Sequence, residues 1–211
     1  MVKILTQAAI ASRFDILGMK EPSEIARHAE YLDLLRHWNK TVNLTSLCLD
    51  PLSAEAIDRL IIEPVVAARH IERSKNLADI GTGGGSPALP LAVESSAQSL
   101  TMIESRTRKC AFLREASRVL EVSANVVEAR FEQALREAVI QATSDYVTIR
   151  AVRLDIEAGE LIRYLLRDGG TVLRFTSTSR DESIVPEGFH VVSDLPLLPS
   201  QQSHLQFLIV S

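Results

Sequence analysis

The stretch that most constrains this chain is Asp79-Ile80-Gly81-Thr82-Gly83-Gly84-Gly85-Ser86-Pro87, a glycine-rich turn directly after the short apolar run Leu77–Ile80. Glycine lacks a Cβ and adopts φ > 0 without steric cost, so such a cluster marks a sharp bend that another group approaches closely. In an open α/β sheet, the first strand-to-helix turn floors the crevice beyond the carboxyl ends of the strands. The helix that follows offers unpaired N–H groups to an anion. The next strand-like run ends at Ile103-Glu104, placing an acid 23 positions after Gly81. That is near the spacing at which a carboxylate accepts hydrogen bonds from a ribose diol. Turn and acid together predict a nucleoside site built from Asp79, Gly81, Gly83, Gly85, Ser86 and Glu104.

The surrounding pattern fits such a sheet. Leu77–Ile80, Leu100–Ile103, Asn125–Glu128, Tyr146–Ile149 and Thr171–Phe175 read as strands, with helical stretches between them. The clearest helix covers about 106–121, with Phe112, Leu113, Ala116, Val119 and Leu120 on one face and arginines mostly on the other. Leu161, Ile162, Leu165 and Leu166 mark another, which Gly169-Gly170 is expected to close. Alternation of this kind implies a parallel sheet. Phe189–Val192 and Leu205–Val210 break the rule, being separated by a Pro- and Ser-containing segment without helical period, and should pair antiparallel. Upstream, Pro22-Ser23 opens a helix over about 23–38 carrying Ile25, Leu32, Leu35 and Trp38. A second helical region follows Ser53, with Ile57, Leu60 and Ile61 as its stripe and Pro64 expected to break or kink it. The expected division is a helical segment at 1–72 and an α/β ligand-binding domain at 73–211.

Composition narrows the function classes. With 211 residues, 46% of them hydrophobic, and a formal net charge of −4, the chain can build a sizeable core but cannot coat nucleic acid by bulk charge. Any nucleic-acid site must be a local patch. No apolar run approaches the roughly 18 residues of a membrane span, and Gln7, Arg13 and Asp15 interrupt the N-terminal stretch that a signal peptide would need. Cys48 and Cys110 lack disulfide-framework or metal spacing, so reduced thiols and a cytoplasmic protein are expected, and a monomer. His28, His37, His70, His190 and His204 show no paired ligand spacing, so no metal is expected, and no Gly-x-Ser-x-Gly nucleophile elbow occurs.

Two features choose among nucleoside cofactors. Counting from Gly81, the sixth position is Ser86, followed by Pro87, where the dinucleotide fingerprint wants Gly or Ala. The terminal hairpin suits the sheet of S-adenosylmethionine-dependent methyltransferases, whose last strand is inserted antiparallel. The expected fold is therefore that class I, Rossmann-like doubly wound α/β architecture with an antiparallel C-terminal hairpin.

Three segments resemble the RsmG (GidB) family of bacterial 16S ribosomal RNA guanine-N7 methyltransferases. They are Trp38-Asn39-Lys40-Thr41-Val42-Asn43-Leu44-Thr45-Ser46, the run Asp79–Leu91, and Ile103-Glu104-Ser105 with Arg108-Lys109 and Phe112-Leu113-Arg114. The resemblance implies that Gly81 and Ser86 line S-adenosylmethionine, Glu104 holds its ribose, and Phe131 and Glu132 flank its adenine. It also implies that Arg150, in Thr148-Ile149-Arg150-Ala151, matches a Ser-Arg-Ala motif beside the cofactor and orients base or cofactor as the candidate catalytic residue. Arg106, Arg108, Lys109 and Arg114 are candidates for holding RNA phosphates of the small subunit. Their plainer reading is a solvated face paired with Glu104 and Glu115. Trp38 either anchors the helical segment or stacks an unpaired base, and Asn39 and Asn43 are expected to bond locally.

The chain departs from the family pattern, which has proline at Gly84, leucine at Ser86, glycine at Ala88, aspartate at Glu104, serine at Ile149 and lysine at Arg174. The family's Arg-His-Ile-Leu-Asp is here Arg59-Leu60-Ile61-Ile62-Glu63. The sequence leaves open a methyltransferase of the same fold on another substrate, or a catalytically silent RNA-binding ribosome-assembly factor.

Overall fold

A computed structural model of the chain describes residues 2–136, 143–177, 185, 187–198 and 203–211. Among these residues seven strands form one sheet: β1 (Asn76–Ile80), β2 (Ser99–Glu104), β3 (Ala124–Glu128), β4 (Ser144–Arg150), β5 (Leu166–Thr176), β6 (Phe189–Leu198) and β7 (Ser203–Val210). Their order is β3-β2-β1-β4-β5-β7-β6. Strands β1 to β5 pair parallel, and β7 is inserted antiparallel between β5 and β6, as the terminal pattern predicts. The strand order reverses between β1 and β4, so the crevice expected of an open α/β sheet opens beside the glycine turn. The expected connector before β7 is mostly strand, since β6 runs on to Leu198; residues 199–202 lie outside the described residues.

Crossovers are made by α5 (Ala88–Ser95), α6 (Thr107–Val119), α7 (Phe131–Arg136) and α8 (Ile156–Leu165). Helix α8 is capped by the Asp155 side chain, which accepts from the Ala158 N–H at 3.1 Å. The expected end of this helix is corrected: it stops at Leu165, and Gly169-Gly170 lie within β5. Leu166 is already extended and pairs with Ser144. Gly170 serves close strand packing, since a Cβ there would meet the Ser144 carbonyl at 3.0 Å.

Before β1 come α1 (Val2–Ile16), α2 (Ile25–Asn39), α3 (Ala54–Ile57), a π-helical turn (Asp58–Ile62) and α4 (Glu63–Ala68). The sequence pattern names no helix at α1, whose apolar face is interrupted. It is held by buried Ile10 and Phe14, and by a guanidinium fork from Arg13 onto Asp58 at 2.7 and 2.6 Å. Ser53 caps α3 by accepting from the Ala56 N–H at 3.1 Å. Pro64 does not break the helix that follows. The chain widens into the π turn just before it, a register in which the N–H of residue 64 would serve the Arg59 carbonyl. Proline has no such N–H, so that carbonyl is left for another donor.

This segment does not stand apart from the sheet. Ile10, Phe14, Leu35 and Ile61 share one apolar cluster with Leu89, Phe112, Leu173 and Phe175, while α7 and α8 cover the other face through Ala134, Leu161 and Leu165. Trp38 is a packing anchor: its ring meets Phe112 edge-on at 5.9 Å, and its Nε1 donates to Glu115 at 3.2 Å. Asn39 bonds locally, its Oδ1 accepting from the Leu44 and Thr45 N–H groups at 2.9 and 3.0 Å. No helix among the described residues is long and apolar enough to cross a membrane.

Asp79 sits buried on β1, where the Thr148 hydroxyl of β4 donates to its Oδ1 at 2.5 Å. Burial pushes its carboxyl up to about 6, although hydrogen bonds from Thr148 and Thr82 oppose the shift. The folded protein therefore holds this proton more tightly than the unfolded chain. The associated stability is fully present below pH 4 and is lost as the pH rises through about 6. Asp79→Asn should gain stability relative to wild type by on the order of 2–3 kcal/mol between pH 4 and pH 7, measured by urea unfolding. A difference that stays flat with pH would contradict a buried, proton-holding carboxyl.

Candidate functional site

The turn after β1 is held across β2, because the N–H groups of Gly81 and Thr82 both donate to the Ile103 carbonyl, at 2.9 and 3.2 Å. Gly81 has φ 69° and Gly85 φ 89°. A Cβ at Gly81 would lie 2.8 Å from Val152 Cγ2, and one at Gly85 2.7 Å from Leu89 Cδ1, so bend and close approach both demand glycine here. The Tyr31 hydroxyl donates to the Gly84 carbonyl at 2.7 Å, pinning the turn to α2. Gly84 itself lies against the N-terminal segment, since a Cβ there would sit 3.0 Å from the Leu44 carbonyl oxygen.

On one side of the turn is a cleft of about 310 Å³ that brings together Gly81, Glu104, Phe131 and Glu132. Glu104 is buried at the end of β2; its Oε2 accepts from the Gly83 N–H at 3.0 Å and its Oε1 from the Arg106 N–H at 2.9 Å. A carboxylate offers about four lone pairs, so two bonds from the backbone leave acceptor capacity for a diol. Asp155 and Glu157 form a wall that the sequence reading did not single out. Acids at the start of a helix have an ordinary explanation in capping and the helix dipole, which masked them.

On the other side lies a larger cleft of about 470 Å³, where the N-terminal segment meets the turn. Thr45, Ser46, Glu55 and Arg59 face Gly81, Gly83, Ser86, Arg150 and Ala151 across it. None of those four N-terminal residues was singled out as a site residue, because a lone polar side chain, whether in the loop after α2 or on the helical turns after Ser53, carries no periodic signal. Ser86 lines this second cleft together with Gly81, and its hydroxyl donates to the Leu60 carbonyl at 3.1 Å. Asp79 and Gly85 lie buried beneath the turn and line neither cleft.

Arg150 closes β4 beside these clefts. Its Nη1 donates to the Arg59 carbonyl at 2.5 Å and its Nη2 to Glu63 Oε2 at 2.7 Å, while its guanidinium stacks 4.6 Å from the Phe175 ring centroid. Side-chain exposures of 11% for Arg150 and 3% for Glu63 place the pair in a poorly solvated setting. Burial pushes the arginine down and the glutamate up, each toward its neutral form, and their mutual attraction opposes both shifts. The guanidinium is largely committed to protein partners.

The four predicted RNA-contacting cations sit on and just before α6. Arg106, Arg108 and Arg114 are exposed and Lys109 is half-buried beside Gly83. Arg114 pairs with Glu128 at 3.5 Å. The carboxylate of Glu115 is bonded to Trp38, and that of Glu104 to backbone N–H groups.

Comparison with known proteins matches residues 24–192 to a profile described as rRNA small subunit methyltransferase G. A protein named ribosomal RNA small subunit methyltransferase G from Xanthomonas euvesicatoria pv. vesicatoria is 38% identical over 189 residues, covering 85% of this chain and 83% of the relative. One of the same name from Stenotrophomonas maltophilia is 39% identical over 176 residues, covering 79% and 76%. Among solved structures, a SAM dependent methyltransferase from Aquifex aeolicus superposes with a TM-score of 0.56 at 12% identity, covering 73% of this chain and 92% of that one. That likeness supports the class I methyltransferase fold. On the extent of the profile match and of the aligned relatives, this chain belongs to the rRNA small subunit methyltransferase G (GidB) family.

Proposed function

We propose that this protein transfers the methyl group of S-adenosylmethionine to N7 of a guanine in the 16S ribosomal RNA of the small subunit. The observation that carries the reading is the pair of clefts meeting at Gly81, one lined by the buried acid Glu104 and the other by residues of the N-terminal segment. The residues present fit the cofactor. Gly81 is exposed where the two clefts meet, so a ligand can reach its backbone, Glu104 has lone pairs to spare for the ribose, and Phe131 and Glu132 line the cleft where adenine would lie. When bound, S-adenosylmethionine supplies an electrophilic methyl on a sulfonium.

Guanine N7 carries an in-plane lone pair and no proton, so the chemistry asks for no general base. The protein's task is alignment of the reacting groups, which in well-oriented systems contributes about 7–11 kcal/mol. Arg150 is in this reading a positioning residue. It joins the end of β4, the π turn and Ser86, and so sets the wall between cofactor and substrate. Residues 1–72 act as the substrate-side cover of the 73–211 domain, and Lys109 with the α6 arginines meets RNA phosphates near the turn. In this reading the protein acts as a monomer, both clefts being lined by one chain, and works in the cytoplasm, as a ribosomal RNA substrate implies.

Incubation with labelled S-adenosylmethionine and undermethylated small ribosomal subunits should yield 7-methylguanosine on nucleoside analysis; label found elsewhere, or none, overturns the reading. Glu104→Ala should weaken cofactor binding by calorimetry by about 10- to 100-fold, the effect of losing charge-assisted bonds, while Glu104→Asp retains most of it. Glu63→Ala, which strands the Arg150 charge, should cost about 3–5 kcal/mol in denaturant unfolding; a loss below about 1 kcal/mol would mean that water or another group compensates.

A further inference from the structure

A third cleft, of about 380 Å³, lies past Arg150 at the carboxyl ends of β4 and β5. Arg59, Arg150, Arg153 and Arg174 line it together with Thr176 and Ser177, and among the described residues no acidic one does. In a chain of net charge −4 this is a local concentration of cations, the kind of patch that nucleic-acid binding requires here. Arg59, Arg150 and Ala151 also line the cleft beside the glycine turn, so the two cavities are neighbours.

We propose that this arginine cleft holds backbone phosphates of the RNA next to the nucleotide being methylated. The proposal rests on the RNA-methyltransferase reading and names the part of the substrate that the β4–β5 side of the crevice grips.

The four cations are not equivalent. Arg150 is charge-matched by Glu63 and forms the wall. Arg174 is 8% exposed and is oriented by a row running across three strands. Its Nη1 donates to Gln206 Oε1 at 3.1 Å, Gln206 Nε2 donates to Asp194 Oδ2 at 3.0 Å, and Asp194 Oδ1 lies 2.7 Å from His204 Nδ1. The register places Arg174 opposite Gln206 and Gln206 opposite Asp194, so the row follows from the pairing of β5, β7 and β6. Arg59 is half-buried and Arg153 exposed, and neither guanidinium donates a hydrogen bond to any described residue. Planar guanidinium forks match phosphate oxygens bidentately, and spaced arginines suit successive phosphodiesters. On α6, by contrast, Arg114 is drawn aside by Glu128.

The test uses the full-length protein with undermethylated small ribosomal subunits as probe, across a series of KCl concentrations. Arg153→Gln and Arg59→Gln should each lower kcat/KM for the particles roughly tenfold at low salt and flatten the slope of log kcat/KM against log salt by about one. Their affinity for S-adenosylmethionine, measured by calorimetry, should stay at the wild-type value. Arg153→Lys should keep the salt slope and recover part of the rate, since it retains the charge without the fork. Unchanged kcat/KM in both glutamine variants overturns the proposal, as does a loss accompanied by the wild-type salt slope or by an equal loss of cofactor affinity. If wild type transfers no methyl group to the particles, the functional reading itself fails, and this inference with it.

Discussion

Residue 64 is a proline two positions past the end of a π-helical turn, and its missing N–H shapes the meeting of the two parts of the molecule. In the π register that N–H would have served the Arg59 carbonyl, and in the α register the Leu60 carbonyl. Buried carbonyls do not go without donors. Arg59 receives its bond from Arg150 at the end of β4, and Leu60 receives one from Ser86 in the glycine turn. An irregularity in a helix thus becomes the seam that ties the N-terminal segment to the sheet at its switch point.

The charges around that seam follow from it. Arg150 can be buried because both its terminal nitrogens have partners: Glu63, a carbonyl, a serine hydroxyl and the face of Phe175 replace most of the water it has lost, while its Nε has no partner among the described residues. Glu63 sits one residue before the proline on the same helix, so the turn that exposes the carbonyl also delivers the counter-ion. Asp79 and Glu104 divide the work beneath and beside the glycine turn. The first is buried between strands, which raises its carboxyl above the usual carboxylate range, while the second uses backbone N–H groups to hold the turn and keeps acceptor capacity for a ligand.

Substitutions at the seam have physical partners. Where the family pattern has leucine, Ser86 supplies a hydroxyl that answers a freed carbonyl, and Glu63 reaches Arg150 from a position where the pattern has the shorter aspartate. Gly84, in place of proline, lets the Leu44 carbonyl close on the turn.

The strands and their parallel order, the antiparallel insertion of the last strand, and the Gly81–Glu104 nucleoside signature were legible from local patterns. Periodicity, glycine clustering and spacing act over a few residues and need no knowledge of the rest. Helix α1 was not legible, because its hold depends on Asp58, far along the chain. The true end of α8 was missed because Gly169-Gly170 reads alike as a helix stop or as tight strand packing. Only tertiary structure turned Ser86 toward the π turn, enclosed Arg150, and gathered Arg59, Arg153 and Arg174 into one cleft. Those side chains come from separate elements, and their convergence depends on sheet order and on how a helix spends its unpaired carbonyls, neither of which a linear pattern records. What the sequence determined by itself was the kind of fold and cofactor; which charges meet around the substrate was decided by packing.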